Sequence, residues 1–441
     1  MRKILLFVVM ALVSMTMNAQ TTPVITLTAE VDGVQRTLGI GSADVANSFR
    51  VDWGDGNIVD GGAATGIYDG YDVVATELTG TPVGSGNIKI YATGAVSFFD
   101  CISKVGGTGV TALDLTNAVD LTEIDANGNK LTTIDLSKNT KLVNAQLNNN
   151  SLTTITLGNN PVFTTLNIQN NQLTSFDGSV VPTLTTLYLS NNYISTLDLS
   201  KNTSLKSVYL LNLGLTSLNM GANKTSKLYL SVNNNKLTSL DITEATGLQN
   251  GSLFAMNNNL TELKYTTLNR VNLAGNKFTL ASLPTSGITT LTYAPQQVMP
   301  INNDINGMID LSAQNNLKGL TATTNPTTYT WYTKSGTALV SGTDYTENGG
   351  TFTFVKNQND SVYCTMATPA FPNFTGSNIF KTVCAKVAVV TAIDQLDVED
   401  TETVDAYSID GRLIQQNTEM KSLKKGAYLI RKANKVFKVV I

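Results

Sequence analysis

The chain has 441 residues, enough for about two to four domains, and a net charge of −3, with only 14% of residues charged. It contains no histidine, which excludes catalysis by Ser-His-Asp or Cys-His pairs and metal sites that need histidine ligands. Three cysteines are too few for a structural zinc site, and no clustered basic segment of the kind that binds nucleic acid is present.

The chain begins with MRKILLFVVMALVSMTMNAQ. Arg2 and Lys3 make a positive start, an apolar run follows, and small residues surround Ala19. This order predicts a secretory signal peptide over residues 1–19, too short and wrongly flanked to span a membrane. No later segment is long and apolar enough to do so. We therefore expect an exported mature protein, secreted or held on the outer-membrane surface.

Residues 20–104 contain strand-like runs such as VITLTAEV and NIKIYATG, with VDWGDGN between them. Asp52 and Asp55 are close enough to suggest a calcium loop, but the ligand spacing of such loops is absent. A Gly-Asp-Gly turn between strands, with Trp53 in the core, explains the motif better. The segment resembles PKD-type β-sandwich modules, which carry a similar WGDG turn. We expect it to cover the first end of the repeats that follow.

Residues 105–295 are built from a repeated unit that reads LxxLxLxxNxLxxLxLxxNxx. The alternation predicts two short strands and two bends per unit. A single coil cannot bury its own leucines, so the units are expected to stack in a solenoid. Units of 21 residues begin at Leu121, Leu142, Phe163, Leu184 and Leu205.

Asparagine recurs at both bends of the unit. Where the chain turns inward, backbone groups lose their strand partners, and a buried amide offers two donors and an acceptor to satisfy them. We interpret these asparagines as a structural ladder and not as a binding surface. The ladder comprises Asn129, Asn150, Asn171 and Asn192 at the first bend, and Asn139, Asn160, Asn202 and Asn223 at the second.

The unit resembles the leucine-rich-repeat family, in the short bacterial class whose second half reads LDLxxN; LTTIDLSKN and ISTLDLSKN carry the resemblance. The resemblance implies a solenoid with a parallel sheet on its concave side, which this family uses mostly to bind proteins or other macromolecules. The unit departs from the pattern at 177–183, where DGSVVPT replaces the second asparagine bend, and at 231–236, where SVNNNK carries extra residues.

The residue between the two leucines of the first strand points away from the core. Tyrosine in this column offers a large contact area and a hydroxyl group at low entropic cost. We predict that the column binds an extracellular protein or, second, a polysaccharide; the alternative is that tyrosine is simply a good strand former. The column is Asp125, Gln146, Asn167, Tyr188, Tyr209, Tyr229 and Asn272.

The second strand of each unit carries a column rich in aspartate. Aligned carboxylates are able to hold calcium or to serve a glycan-degrading enzyme, which is one alternative function. Because aspartate belongs to the repeated LDLS pattern, and a row is not a cleft, we expect no catalytic residue, metal or cofactor. A passive structural component of the cell envelope is the other alternative. The column is Asp135, Thr156, Asp177, Asp198, Asn219 and Asp241.

Residues 296–390 lose the repeat. Trp331, followed later by Tyr363 and Cys364, resembles an immunoglobulin-like sandwich, although the usual earlier cysteine is missing. Cys364 and Cys384 flank the turn-rich ATPAFPNFTGSN symmetrically, which suggests a disulfide across a hairpin in an exported chain. Cys101 is then expected to be a small buried hydrophobic residue.

The tail, residues 391–441, is acidic in its first half and basic in its second. A small antiparallel sheet whose opposite charges meet across strands would explain this pattern. YSIDGRLI, LKKGAYLI and KVFKVVI also resemble the C-terminal sorting domain of the type IX secretion system of Bacteroidetes. That resemblance implies export across the outer membrane, with the secretion machinery as a partner.

Taken in chain order, these segments predict a mostly β protein, a leucine-rich-repeat solenoid flanked by β-sandwich modules. The function we expect is non-catalytic binding or adhesion at the cell surface through the exposed face of the repeats.

Overall fold

The computed structural model describes residues 21–43, 47–67, 74–102, 109–301, 307–321, 323–355, 358, 360–387, 403–408, 411–419, 422–423, 427–432 and 435–440. Within these ranges the chain is β-strand and turn, with short 3₁₀ turns at Thr246–Gln249, Ser312–Gln314 and Gly376–Asn378 and no α-helix. None of the described helices is long and apolar enough to cross a membrane. The predicted signal peptide lies outside the described residues.

The chain divides into two compact units. One runs to Gln297 and includes Gly376–Asn378, and the other comprises Val298–Thr375 and the residues from Ile379 onward. Each unit is described by itself below.

The first nine strands form two facing layers. β4-β3-β7-β1-β9 make one antiparallel sheet, whereas β8, β2, β6 and β5 belong to a second. Ile25, Phe49 and Ile88 are at most 1% exposed and form part of the core. The strands are β1 (Ile25–Ala29), β2 (Arg36–Gly41), β3 (Ser48–Asp52), β4 (Ile58–Ala63), β5 (Gly66–Ile67), β6 (Val74–Gly80), β7 (Asn87–Ala92), β8 (Phe98–Asp100) and β9 (Val110–Asp114).

The WGDG motif forms the turn of the β3–β4 hairpin. The Asp52 carboxylate is buried and accepts hydrogen bonds from the backbone N–H groups of Gly54 and Gly56, both at 2.9 Å. Both glycines have positive φ, 111° and 83°, a conformation that side chains disfavour. Trp53 is 9% exposed and packs in the core. The turn interpretation therefore accounts for the motif, because the Asp52 oxygen is committed to the backbone.

The repeats form two columns of parallel strands. First strands extend one long sheet from β8 to β24, and second strands pair as β11–β13, β16–β18 and β20–β22. The strands are β10 (Glu123–Asp125), β11 (Thr133–Leu136), β12 (Asn144–Gln146), β13 (Thr154–Leu157), β14 (Thr165–Asn167), β15 (Thr186–Tyr188), β16 (Thr196–Asp198), β17 (Ser207–Tyr209), β18 (Ser217–Asn219), β19 (Tyr229–Ser231), β20 (Ser239–Asp241), β21 (Ser252–Phe254), β22 (Glu262–Lys264), β23 (Leu268–Asn272) and β24 (Ile288–Thr292).

The architecture is a leucine-rich-repeat solenoid. The residues that open the units, Leu121, Leu142, Phe163, Leu184 and Leu205, are at most 1% exposed. β8 pairs in parallel with β10 and antiparallel with β2. The sheet of the first coil therefore continues into the N-terminal strands and does not end in an open edge there.

The first-bend asparagines bridge consecutive coils through the backbone. Asn171 Nδ2 donates to the carbonyl oxygens of Leu147 and Ile168, both at 3.0 Å, and its Oδ1 accepts from Leu152 N at 2.9 Å. The same pattern recurs at Asn150 and Asn192. Each amide thus satisfies backbone groups that the bend removes from the strand ladder.

The second-bend asparagines work in the same way. Asn202 Nδ2 donates to Gly178 O and Val181 O, both at 2.9 Å. These acceptors lie in the irregular segment 177–183, so the ladder passes through the departure from the repeat. A Cβ on Gly178 would lie 2.5 Å from Asn202 Oδ1, which explains the glycine. Of the eight predicted ladder residues, Asn150 alone is half-buried and the others are at most 7% exposed.

The second unit contains a two-layer sandwich of small antiparallel sheets, β25-β28-β27 and β26-β29-β30. Trp331 is fully buried between them, with its ring 5.3 Å from that of Phe352 and 5.1 Å from that of Phe354. The strands are β25 (Met308–Asp310), β26 (Thr328–Thr333), β27 (Tyr345–Asn348), β28 (Thr351–Phe354), β29 (Val362–Ala367) and β30 (Phe380–Lys381).

The disulfide predicted between Cys364 and Cys384 is not formed. Both cysteines are free; Cys364 is buried and Cys384 is exposed. The strand register explains the difference, because Cys364 hydrogen-bonds Thr382 through its backbone, while Ala385 pairs with Val362. The two thiols are therefore neither opposite each other nor in the same environment. Cys101 is buried, as expected for a small hydrophobic residue.

The last strands form an antiparallel sheet in the order β32-β31-β33-β34. Val404, Ala406, Leu423 and Ile430 make its small core. Asp405 lies opposite Arg431, so opposite charges do meet across β31 and β33 at this position. The strands are β31 (Thr403–Tyr407), β32 (Leu413–Glu419), β33 (Ala427–Lys432) and β34 (Lys435–Val440).

Candidate binding face

The outer face of the first-strand sheet carries two columns of side chains, because residues two apart on a strand point the same way. The strand pairing assigns the columns. The central column is Asp125, Gln146, Asn167, Tyr188, Tyr209, Ser231, Phe254 and Asn272, and the flanking column is Glu123, Asn144, Thr165, Thr186, Ser207, Tyr229, Ser252 and Arg270.

The predicted position of Tyr229 in the central column is wrong. Tyr229 pairs with Ser207, and Ser231 takes the place next to Tyr209. Asn223 still donates to Leu205 O as the ladder requires, so the extra residue of this coil lies in 224–228 and not in 231–236. One inserted residue shifts the tyrosine by two strand positions relative to the simple LxLxx alignment, yet it stays on the same face.

Four aromatic side chains form a continuous stack across β15, β17, β19 and β21; we call it the aromatic stripe. The Tyr188 and Tyr209 ring centroids are 4.7 Å apart with the planes within 8°. Tyr229 follows at 5.1 Å from Tyr209, and Phe254 at 5.2 Å from Tyr229. Phe254 was not predicted, although SLFAM places it between a buried leucine and a buried alanine as the repeat requires.

The rings of the stripe present their edges outward. Their spacing matches the separation of about 4.8 Å between neighbouring strands, so each ring covers the face of the next. The Arg270 guanidinium lies 5.7 Å from the Phe254 centroid and covers the end of the stack. Burial raises the pKa of Tyr209, and Tyr188 and Tyr229 add to the shift. The stripe therefore exposes ring edges and hydroxyl groups.

Amide side chains occupy the same face in the preceding coils. Asn167 Nδ2 donates to Gln146 Oε1 at 2.9 Å, Gln146 Nε2 donates to Asn144 Oδ1 at 2.8 Å, and Asn144 Nδ2 donates to Glu123 Oε1 at 2.6 Å. Gln146 and Asn167 are half-buried. Asp125 does not belong to the accessible surface, because it is 4% exposed and accepts from Asn127.

The aspartates of the second column close the bends that follow them. Asp198 Oδ1 accepts from Ser200 N at 2.8 Å, and Asp135 Oδ1 accepts from Ser137 N at 2.8 Å. These hydrogen bonds lower the pKa of both carboxyl groups. Asn219 accepts from Gly221 N in the same way. A role in turns explains why aspartate, serine and asparagine share the pattern.

A third set of asparagines, which the sequence analysis did not separate from the buried ladder, lines the edge of the binding face. Asn149, Asn170, Asn191 and Asn212 have φ of 55–58°, in the left-handed region that asparagine tolerates best after glycine. Asn170 Nδ2 donates to Asn149 Oδ1 at 2.7 Å. The repeated Asn-Asn pair is the signal, since one asparagine turns inward and the other takes positive φ.

No protein-family model matches the chain, and no curated protein matches it. Solved structures similar to it include the functional domain of InlJ from Listeria monocytogenes, at 19% identity and TM-score 0.42, over 66% of this chain and 66% of that one. YopM from Yersinia enterocolitica WA-314 is 22% identical, with TM-score 0.30, over 41% and 44%. The leucine-rich-repeat domain of APL1 is 18% identical, with TM-score 0.32, over 54% and 60%. The chain spans less than two thirds of each, and nothing about its ligand follows from them.

Proposed function

We propose that the protein is exported and binds a protein partner through the aromatic stripe, with a polysaccharide as the second choice of ligand. The observation that carries the proposal is the continuous stack of Tyr188, Tyr209, Tyr229 and Phe254 on an outer sheet face. Aromatic residues are enriched at the energetic centres of protein interfaces. Their rotamers are already restricted by stacking, so binding would cost little side-chain entropy.

The edge-on arrangement favours a protein over a sugar chain. Sugar rings pack against exposed aromatic faces, whereas the faces of Tyr209 and Tyr229 are covered by their neighbours. Ring edges and hydroxyl groups suit apolar side chains and backbone carbonyls instead. The half-buried amides of Gln146 and Asn167 extend this surface with further donors and acceptors.

Export rests on the predicted signal peptide, and surface attachment through the secretion machinery rests on the sorting-like tail. Deleting residues 391–441 and fractionating the cells tests the second point. Loss of the protein from the surface is expected, and unchanged surface display would refute a sorting role.

The binding experiment compares the mature chain with Tyr188→Ala/Tyr209→Ala/Tyr229→Ala on arrays of immobilised extracellular-matrix proteins and of glycans. Tyr193→Ala is the matched control, since Tyr193 is 69% exposed in the same coil as Tyr188 but lies outside the stripe. We expect a protein ligand that the control retains and the triple variant loses while its circular dichroism stays unchanged. A triple variant that binds as well as the parent would refute the proposal.

A further inference from the structure

A cleft of about 580 Å³ opens beside the aromatic stripe, where the chain enters strands β15, β17 and β19. Hydroxyl and ammonium groups dominate its lining. Thr225 Oγ1 is held by Asn223 Oδ1 at 2.8 Å, which fixes one wall to the asparagine ladder. The lining includes Thr185, Thr203, Ser204, Lys206, Lys224 and Thr225.

The cleft is electropositive in a chain of net charge −3. Lys206 and Lys224 are exposed, and no carboxylate of the described residues lies within ion-pair distance of either. Lys227 leads into β19 and Arg270 stands at the end of the stripe, so the basic character continues along this side. Unpaired cations around a recess favour an anionic group from a partner.

The cleft and the stripe are separated by a distance that an extended chain spans naturally. Lys206 directly precedes β17, and Tyr209 lies three residues further along it. At about 3.3 Å per residue, the two positions are roughly 10 Å apart. An extended partner segment with a carboxylate and an apolar side chain three residues apart would reach both.

We infer that the cleft between Lys206 and Lys224 receives a carboxylate of the protein partner, so that the segment bound along the stripe is acidic. This inference rests on the proposed function and names the chemistry of its ligand. A carboxylate there accepts charge-assisted hydrogen bonds from the lysines and from the threonine and serine hydroxyls. Apolar side chains of the same segment pack against the ring edges of Tyr188 and Tyr209.

The test uses fluorescein-labelled peptides of repeated Glu-Ser-Thr-Leu and Gln-Ser-Thr-Leu, with fluorescence anisotropy as the readout. We expect the Glu peptide to bind the mature chain about tenfold more tightly than the Gln peptide, with an affinity that falls as salt is added. Lys206→Gln/Lys224→Gln should abolish the preference. Lys236→Gln, an exposed lysine at the other end of β19, should keep it.

Three results would overturn the inference: no binding of the Glu peptide, equal affinities for the two peptides, or an unchanged preference in the double lysine variant. A heparin fragment that displaces the Glu peptide and binds more tightly through the same lysines would assign the cleft to sulfated glycans instead, and so also overturn it. The matrix-protein ligand separates this failure from that of the proposed function. A ligand lost with the tyrosines but indifferent to the lysines leaves the proposed function standing, whereas one indifferent to the tyrosines refutes it.

Discussion

The asparagine ladder predicts a large stability loss from a small side-chain change, Asn192→Ala. Asn192 is 2% exposed; its Nδ2 donates to Ile168 O at 3.0 Å and to Leu189 O at 2.8 Å, and its Oδ1 accepts from Leu173 N at 2.9 Å. Alanine removes all three bonds and leaves a buried N–H without a partner. At about 1 kcal/mol for each lost bond, with the desolvation penalty added, unfolding should become easier by about 3 kcal/mol.

The matched control is Asn191→Gly in the same bend. Asn191 is exposed and has φ of 58°, which glycine adopts without strain, so its free energy of unfolding should change by less than about 0.5 kcal/mol. Urea unfolding should be followed by far-ultraviolet circular dichroism, because the two tryptophans, Trp53 and Trp331, lie outside the repeats. Equal effects of the two substitutions would refute the structural role of the buried amide.

Three further predictions concern the bends, the packing and the thiols. Because hydrogen bonding lowers the pKa of Asp198, its contribution to stability is present above the usual carboxyl pKa of about 4 and lost as pH falls through the folded value; Asp198→Asn should flatten this part of the unfolding profile, and an identical profile would count against it. Gly251→Ala places a Cβ 1.8 Å from Leu228 O and should destabilise by about 1–3 kcal/mol, whereas Gly66→Ala meets no atom within 4 Å and should be neutral; thermal melts that coincide would contradict this. With a thiol reagent, Cys384 should react in the native state and Cys364 only after unfolding, and a native mass lower by two hydrogens would contradict free thiols.

The solenoid was predictable because its period is written in the sequence. Each strand needs an inward leucine and each bend an amide, so Leu121 to Leu205 and the asparagines that follow them mark every coil. The turn chemistry of Asp52 was equally visible, since the flanking glycines require positive φ. These features depend on neighbours close in sequence, which is what a repeat pattern records.

The errors concern contacts between coils. The position of the extra residue near Tyr229 depends on which loop absorbs it, and counting along the chain does not decide between 224–228 and 231–236. The burial of Asp125 depends on the Asn127 side chain that bonds it. The failed pairing of Cys364 with Cys384 depends on the register of a hairpin, which symmetric spacing around a turn does not determine.

The most direct test of the central claim is the affinity of the captured matrix-protein ligand for Tyr209→Ala, measured beside Tyr193→Ala. Tyr209 is the middle ring of the stack, held between Tyr188 and Tyr229. We predict a loss of about 2 kcal/mol or more, close to thirtyfold in Kd, for Tyr209→Ala and no change for Tyr193→Ala. Equal affinities of the two variants would show that the stripe is structural and that recognition takes place elsewhere.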